Sequence, residues 1–256
     1  MDILNHNREA WNKQVDMGNI WTIPVNLQQI EEARRGNWSV LLTPTKSVPV
    51  KWFPKLKGKK ILCLASGGGQ QGPIFAALGS DVTVFDNSPA QLQRDKSVAE
   101  REGLSITIEQ GDMRDLSIFK NEIFDLIFHP VSNCFIDDVN KVWKECYRVL
   151  KKDGTLLAGF CNPIIYIFDM YEWDENHKLD VKYSIPYSDI NQLSKKELIK
   201  RIEAKETLEF GHSLDDQIGG QIKVGFMING FYEDSSGGDL LDPYINTFIA
   251  TKAVKK

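Results

Sequence analysis

A short apolar run followed by a turn of glycines or acids occurs three times between residues 61 and 116, and this pattern constrains the fold most. The runs begin at Ile61, Val82 and Ile106. Short apolar runs separated by helical stretches are typical of buried parallel strands. Because the carboxyl ends of such strands meet at one edge of an open α/β sheet, where these folds bind ligands, we expect the three turns to form one site.

The residues in these turns favour a ligand that contains a nucleoside. Gly67, Gly69 and Gly72 match the spacing G-x-G-x-x-G, and glycines allow a backbone to approach a ligand closely. Asp86 ends the second run 19 residues after Gly67 (86 − 67), and Asp112 lies in the third turn. Both acids are placed to accept hydrogen bonds from a nucleoside. On this spacing alone, an NAD(P)-dependent oxidoreductase fits as well.

The composition limits the classes of partner. With 256 residues, 42% of them hydrophobic, the chain can bury one large core. A formal net charge of −4 gives no overall attraction for nucleic acid or anionic lipid, so we expect neither nucleic acid nor membrane as a partner. No apolar run is long enough to span a bilayer, the first residues lack the features of a signal peptide, and the four cysteines have no paired spacing. We therefore expect a cytoplasmic protein without a metal site.

The first 57 residues differ from the rest of the chain. They contain four of the six tryptophans, together with Pro44, Pro49 and Pro54, which prevent one long helix. Helices are predicted for residues 8–15 and 27–35. We interpret residues 1–57 as a cap that lies against the sheet.

A fourth strand and a long helix are predicted after the third turn. The apolar run at residues 124–128 is the strand, and Asp137 or Asp138 begins the helix. An apolar stripe at helical spacing follows, and we expect the helix to end at Gly154, before a strand over residues 155–160.

Residues 58–256 resemble the class I S-adenosylmethionine-dependent methyltransferases. The glycine turn at 61–72, the run Phe124-Asp125-Leu126-Ile127-Phe128-His129 and the passage from Tyr147 to Leu156 look like the corresponding parts of that family. The resemblance implies an α/β fold with a Rossmann-like, seven-stranded, mainly parallel sheet, an antiparallel last strand, helices on both faces and an N-terminal helical cap. It implies a single domain, residues 1–256, made of the cap (1–57), a cofactor-binding core (58–161), a substrate-side insertion (162–206) and C-terminal strands (207–256).

The resemblance also implies S-adenosyl-L-methionine as the cofactor. In the family, the glycine loop holds the methionyl part, the acid after the second strand accepts from the ribose, and the third turn contacts adenine. The cofactor-binding residues expected from this correspondence are Ala65, Ser66, Gly67, Gly68, Gly69, Asp86, Asn87, Gly111, Asp112, Met113 and His129. The chain has Cys63 where the family usually has an acid and Ala65 where it usually has a glycine. These differences keep open a protein that binds the cofactor without catalysis.

The expected reaction is methyl transfer to a small molecule. The Asn/Asp-Pro-Pro-aromatic signature of enzymes that methylate base amino groups is absent after the fourth strand, where the chain reads His129-Pro130-Val131. A tryptophan-rich cap suits an enclosed pocket, and its expected substrate-binding residues are Trp11, Trp21, Asn133, Asn162 and Tyr166. His129 is the candidate catalytic residue, which would take a proton from the acceptor. The sequence leaves open the acceptor, the methylated atom and the oligomeric state.

Overall fold

The computed structural model describes residues 1–256, and most of its strands form one central sheet. The strands are β1 (Lys60–Leu64), β2 (Asp81–Asp86), β3 (Ile106–Gln110), β4 (Phe124–His129), β5 (Leu150–Cys161), β6 (Tyr187–Ser188), β7 (Phe210–Gly211), β8 (Phe226–Asp234) and β9 (Phe248–Lys255). The seven-stranded sheet has the order β3-β2-β1-β4-β5-β9-β8, and β6 pairs with β7 in a separate two-stranded sheet. Strands β1 to β5 are parallel to one another, whereas β9 is antiparallel to both β5 and β8. The predicted fold, with its antiparallel last strand, is confirmed.

Helices cover both faces of this sheet. They are α1 (Ile3–Asp16), α2 (Leu27–Arg34), α3 (Gly72–Ala77), α4 (Pro89–Glu102), α5 (Val139–Val149), α6 (Met170–Asn176), α7 (Asp189–Gln192), α8 (Lys195–Glu203) and α9 (Gly220–Lys223), which a π-helical turn (Asp215–Gly219) precedes. Because successive residues of a strand point to opposite faces, Ile61 and Cys63 pack on the side of α3 and α4, whereas Leu62 and Leu64 pack on the side of α5. No helix combines the length and the apolar character needed to cross a membrane.

Two predicted boundaries are wrong. The first helix begins at Ile3, five residues before the predicted start at residue 8. The helix α5 ends at Val149, not at Gly154, and β5 begins at once with Leu150. Leu150 is fully buried and pairs with Phe124 of β4, and its carbonyl oxygen accepts a hydrogen bond from Nζ of Lys255 at 2.8 Å. The pairing register shifts just after Phe124, so the turn expected to end the helix lies inside the strand as a bulge. Burial of the first strand residue and its sheet pairing decide where the helix stops.

The first helix, α1, joins two distant parts of the chain. The side-chain amide of Asn7 donates to the carbonyl oxygens of Phe135 and Leu208 at 2.8 and 3.0 Å, and its Oδ1 accepts from the N–H of Leu208 at 2.7 Å. On the same helix, Oδ1 of Asn12 accepts from the hydroxyl of Ser88 at 2.8 Å. The helix therefore bridges the turn after β2 and the segment before β7, and it lies over the carboxyl edge of the sheet.

The substitution Asn7→Ala tests this bridge. It leaves the buried N–H and C=O of Leu208 without their partner, each of which costs about 1–3 kcal/mol, so we expect the free energy of unfolding to fall by about 2–6 kcal/mol. Urea unfolding measures the change. Asn5 lies exposed on the same helix, and Asn5→Ala should leave the unfolding free energy within about 0.5 kcal/mol of its starting value. Equal effects of the two substitutions would show that Asn7 does not hold α1.

Candidate active site

A cavity of about 360 Å³ lies at the carboxyl ends of strands β1 to β5. This volume is within the range of small-molecule and cofactor pockets, about 300–1,000 Å³. Every parallel strand contributes residues to its wall. Those that follow or end the strands are Ala65, Ser66 and Gly67 at β1, Asp86 and Asn87 at β2, Gly111, Asp112, Met113 and Arg114 at β3, Pro130, Val131 and Ser132 at β4, and Cys161 at β5. The three turns predicted to form one site therefore do line one cavity.

Two carboxylates hold the glycine loop after β1. The N–H groups of Gly68 and Gly69 both donate to Oδ2 of Asp95, at 3.0 and 2.9 Å, and the N–H of Gly67 donates to Oδ2 of Asp86 at 2.9 Å. Gly68 and Gly69, which we predicted to bind the cofactor, are not among the residues that line the cavity. Asp95 is fully buried, and this burial, together with the nearby charge of Asp86, raises the pKa of Asp95 to about 8 against the lowering effect of the two N–H groups.

Sequence reasoning missed Asp95, although a signal was present. The buried residues of α4 follow the spacing of a helix face that packs on a core, and they are Gln91, Leu92, Asp95, Val98 and Ala99. Two of these positions carry polar side chains one helical turn apart. Gln91 also lines the cavity, and its Oε1 is buried without a hydrogen-bond partner in the protein. A polar pair on an otherwise apolar helix stripe indicates contact with a polar loop or ligand.

Asp86 ends β2 and lines the cavity, and each of its carboxylate oxygens accepts one hydrogen bond and can accept another. Its Oδ2 accepts from Gly67, and its Oδ1 accepts from the N–H of Ser88 at 2.9 Å. Burial raises the pKa of Asp86, while the backbone N–H groups lower it. The neighbouring Asn87 contacts α1 instead, because its side-chain amide donates to the Leu4 carbonyl at 2.8 Å and its Oδ1 accepts from Nε of Arg8 at 3.1 Å.

The two positions at which the chain departs from the family pattern have different surroundings. Cys63 is fully buried in β1, inside the core on the α3 side, and burial raises the pKa of its thiol. Ala65 lines the cavity with φ of +46°, a left-handed conformation that favours glycine, and its N–H donates to the Phe85 carbonyl at 2.7 Å. At Ala65 the loop after β1 thus has a backbone conformation that glycine adopts freely and that strains an alanine.

The third turn presents a neutralised carboxylate. Arg114 donates through Nε to both oxygens of Asp112, at 3.0 and 2.9 Å, and through Nη2 to Oδ2 at 2.6 Å. Its Nη1 also contacts Asp137. These carboxylates raise the pKa of Arg114, mainly through the hydrogen bond to Asp112. Met113 lies between the two charged residues in sequence and lines the same wall.

His129 is fully buried and is not among the residues that line the cavity. Its Nδ1 is 2.9 Å from the Leu64 carbonyl oxygen, and its Nε2 is 2.7 Å from Oδ1 of Asn133. Both ring nitrogens therefore have partners inside the protein, and burial lowers the pKa of the ring. Asn133 continues the network by donating to Oε1 of Gln217 at 3.0 Å. The structure does not bring the imidazole to a position from which it could take a proton in the cavity.

Of the five predicted substrate-binding residues, three line the cavity and two do not. Trp11, Trp21 and Tyr166 line the cavity, whereas Asn133 and Asn162 do not. Asn162 caps a short 3-10 turn by accepting from the N–H of Ile164 at 3.2 Å.

Residues of the N-terminal cap (1–57) form part of the cavity wall, opposite the carboxyl edge of the sheet. The ring of Trp11 meets that of Phe135 edge-on at 5.2 Å, and both rings line the cavity. The side-chain amide of Gln70, in the glycine loop, donates to the carbonyl oxygens of Ile20 and Ile23 at 2.9 and 3.0 Å. The segment that carries Trp21 is thereby attached to the loop.

At the end of the cavity beside β5 lies a further carboxylate, that of Glu209, which the sequence analysis did not predict. The hydroxyl of Tyr166 donates to Oε2 of Glu209 at 2.8 Å, and the thiol-bearing Cys134 and Cys161 and the ring of Phe248 lie on the same wall. Phe248 starts β9 opposite Cys161 of β5. Glu209 precedes β7 and comes to the cavity through tertiary contacts, for which no local sequence pattern exists.

Comparison with known proteins decides the family. A family model described as "Methyltransferase domain" matches residues 62–158. The Bacillus subtilis (strain 168) protein named "Uncharacterized methyltransferase YbaJ" is 55% identical to this chain over 253 residues, which cover 99% of the chain and 98% of that protein. This chain belongs to the class I S-adenosylmethionine-dependent methyltransferases.

More distant relatives agree with this membership. The ubiquinone biosynthesis O-methyltransferase of Pseudomonas savastanoi pv. phaseolicola (strain 1448A / Race 6) is 27% identical over 124 residues, which cover 46% of the chain and 53% of that enzyme. A crystal structure of an S-adenosylmethionine-dependent methyltransferase from Mesorhizobium loti superposes with a TM-score of 0.60 at 16% identity, over 80% of the chain and 94% of that structure, and so shows the same fold. The methyltransferase is an enzyme that uses S-adenosylmethionine. The alternative of an NAD(P)-dependent oxidoreductase is therefore rejected.

The raised pKa of Asp95 predicts a pH-dependent stability. An aspartate in the unfolded chain releases its proton near pH ~4, whereas buried Asp95 releases it near pH 8. Between these values the folded protein holds a proton that the unfolded chain has lost, so this contribution to stability is fully present below the lower value and is lost as the pH rises to the higher one. We expect the free energy of unfolding to fall less steeply with pH in Asp95→Asn than in the unmodified methyltransferase. Urea unfolding across this pH range measures the slopes.

Asp81 supplies the control, because it is an exposed aspartate at the opposite end of the sheet. Asp81→Asn should keep the original slope. Parallel stability curves for Asp95→Asn and the unmodified protein would contradict the assignment.

Proposed function

We propose that this methyltransferase transfers a methyl group to a small molecule held beside the cofactor in the cavity at the carboxyl edge of the sheet. The observation that carries the proposal is the continuity of the cavity. Its wall runs from the acids at the ends of β2 and β3 to Tyr166 and Glu209 beyond the end of β5. Neighbouring strands lie about 4.8 Å apart, so the ends of β1 and β5, with β4 between them, are separated by about 10 Å. This distance leaves room for an acceptor next to the methyl donor.

The residues of the first three turns fit the cofactor. Asp86 has lone pairs for the ribose hydroxyls, and Met113 with the Asp112–Arg114 pair offers an apolar surface and a polar edge for adenine. Gly67 and Ala65 would lie under the methionyl part. The unpaired Oε1 of Gln91 is an acceptor left open in the protein beside this loop.

The protein's own contribution to the reaction is alignment and the exclusion of water. When bound, S-adenosylmethionine supplies a methyl group already activated on a sulfonium. Correct placement of two reactants can be worth about 7–11 kcal/mol of the barrier, more than a single proton-transfer group contributes. Trp11 and Phe135, fixed by the Asn7 bridge, cover the place where the acceptor would lie. The buried His129 network holds the end of β4 against the β1 turn.

The lining of the cavity supports a small acceptor. Trp11 and Phe135 cover part of it, and the lining carries three acids (Asp86, Asp112 and Glu209) against one base, Arg114. Nucleic acid, which requires a basic surface, does not suit such a wall. Relatives named as sterol 24-C-methyltransferases and as ubiquinone biosynthesis O-methyltransferases are also consistent with a small molecule.

The substitution Asp86→Ala tests the cofactor arrangement. It would leave ribose hydroxyls unpaired, which costs about 1–3 kcal/mol and corresponds to a rise in Kd for S-adenosylmethionine of about 5- to 150-fold. Calorimetric titration measures the affinity. Asp81→Ala removes an aspartate from the other end of the same strand and should leave the affinity unchanged. An unchanged Kd in Asp86→Ala would place the ribose elsewhere.

The class of acceptor can be tested with cofactor that carries a radiolabelled methyl group. The purified methyltransferase is incubated with it and a bacterial extract, and the extract is then separated into small molecules, protein and nucleic acid. We expect the label in the small-molecule fraction. Label in precipitated protein or nucleic acid would overturn the small-molecule proposal while leaving the methyltransferase activity in place.

A further inference from the structure

Glu209 is a carboxylate with no cation paired to it, at the acceptor end of the cavity. It forms no salt bridge, and its only side-chain partners are neutral hydroxyl groups, Tyr166 at 2.8 Å on Oε2 and Thr207 at 3.4 Å on Oε1. The other acids on the cavity wall have stronger compensation, because Arg114 neutralises Asp112 and two N–H groups hold Asp86. Glu209 is partly exposed on the cavity wall, so it becomes a costly unpaired charge only when a ligand displaces the water there, and a ligand that brings a positive charge avoids that cost.

The nearby arginine, Arg201, offsets the charge of Glu209 only in part, because its salt bridges go to other carboxylates. It contacts Asp189 at 3.3 Å and Glu206 at 3.7 Å. Asp189 is almost fully buried and also accepts from the hydroxyl of Tyr187 at 2.7 Å and from the N–H of Glu209 at 2.8 Å. One arginine thus serves three carboxylates, and the cluster keeps an excess of negative charge beside the cavity.

The groups that face Glu209 come from several elements. Tyr166 and Cys161 approach from the end of β5, Cys134 from the turn after β4, and Arg201 and Asp189 from the insertion. Burial, followed by the charge of Asp189, raises the pKa of Glu209, and Arg201 opposes this rise. A carboxylate with a raised pKa holds a proton better than an exposed one does.

We propose that Glu209 binds the ammonium group of an amine acceptor and takes its proton before methyl transfer, an inference that rests on the proposed function. A hydroxyl acceptor would leave the carboxylate without a counter-charge, whereas an ammonium group neutralises it. The apolar body of such an amine would lie against Tyr166 and Phe248, and the face of the Tyr166 ring also suits a cation.

The proton and electron balance of this step closes without a further reagent. The ammonium group gives one proton to the Glu209 carboxylate and becomes a neutral amine. The nitrogen lone pair forms a bond to the methyl carbon while the carbon–sulfur bond breaks, and that electron pair stays on sulfur as a neutral thioether. The positive charge passes to the methylated nitrogen, and Glu209 returns its proton to water when the product leaves.

Binding of simple probes tests the proposal without any assumption about the natural acceptor. The methyltransferase is saturated with S-adenosylhomocysteine and titrated by calorimetry with benzylamine and with benzyl alcohol near neutral pH. A hydrogen bond to a charged partner should make benzylamine bind at least about tenfold more tightly than benzyl alcohol. In Glu209→Gln this preference should disappear while the affinity for S-adenosylhomocysteine is retained. Lowering the pH through the raised pKa of Glu209 should weaken benzylamine binding in the unmodified protein only.

A control variant completes the experiment. Glu203→Gln makes the same chemical change at an exposed position of α8 and should keep the preference for the amine. No amine binding to the complex, equal binding of both probes, or an undiminished preference in Glu209→Gln would overturn the proposal. If the radiolabel then appears on a hydroxylated small molecule, the small-molecule function stands and only the part assigned to Glu209 fails.

Discussion

The hydrogen bonds from the glycine loop to the carboxylates of Asp95 and Asp86 fix the geometry on which the rest of the site depends. Asp95 accepts from Gly68 and Gly69, and Asp86 accepts from Gly67, so the loop, the end of β2 and the helix α4 form one unit. In the family pattern, an acid in the strand before the loop is usual. Here that position is Cys63, which is packed in the core. The loop is instead held from the helix that follows β2, and its backbone shape persists although Ala65 adopts a left-handed conformation.

A second consequence of the fold is the charge distribution along the cavity. The parallel strands place the acids of β2 and β3 at one end, and the segment just before β7 brings Glu209 to the other, about 10 Å or more away along the sheet edge. The cap closes the space between them through Trp11. A positively charged methyl donor and a positively charged acceptor would otherwise repel each other, and separate carboxylates at the two ends offset that repulsion.

The fold, and the presence of Gly67, Asp86 and Asp112 in one cavity, could be predicted from the sequence because their signals are local. Glycine spacing and the position of Asp86 at the end of an apolar run depend only on neighbours in the chain. His129 was correctly placed at the end of β4, but the direction of its ring depends on Leu64 and Asn133, which no local pattern reveals. Glu209, which directly precedes β7, reaches the cavity only through tertiary packing, so the opposite end of the cavity could not be predicted in the same way.

A crystal structure of the methyltransferase with S-adenosylhomocysteine and benzylamine would test the central claim most directly, namely that one continuous cavity holds donor and acceptor between Asp86 and Glu209. The account predicts the ribose hydroxyls within hydrogen-bonding distance of the Asp86 carboxylate, the sulfur directed towards the end of β5, and the amine nitrogen on Glu209. A ribose away from Asp86, or a sulfur directed away from Glu209, would contradict it.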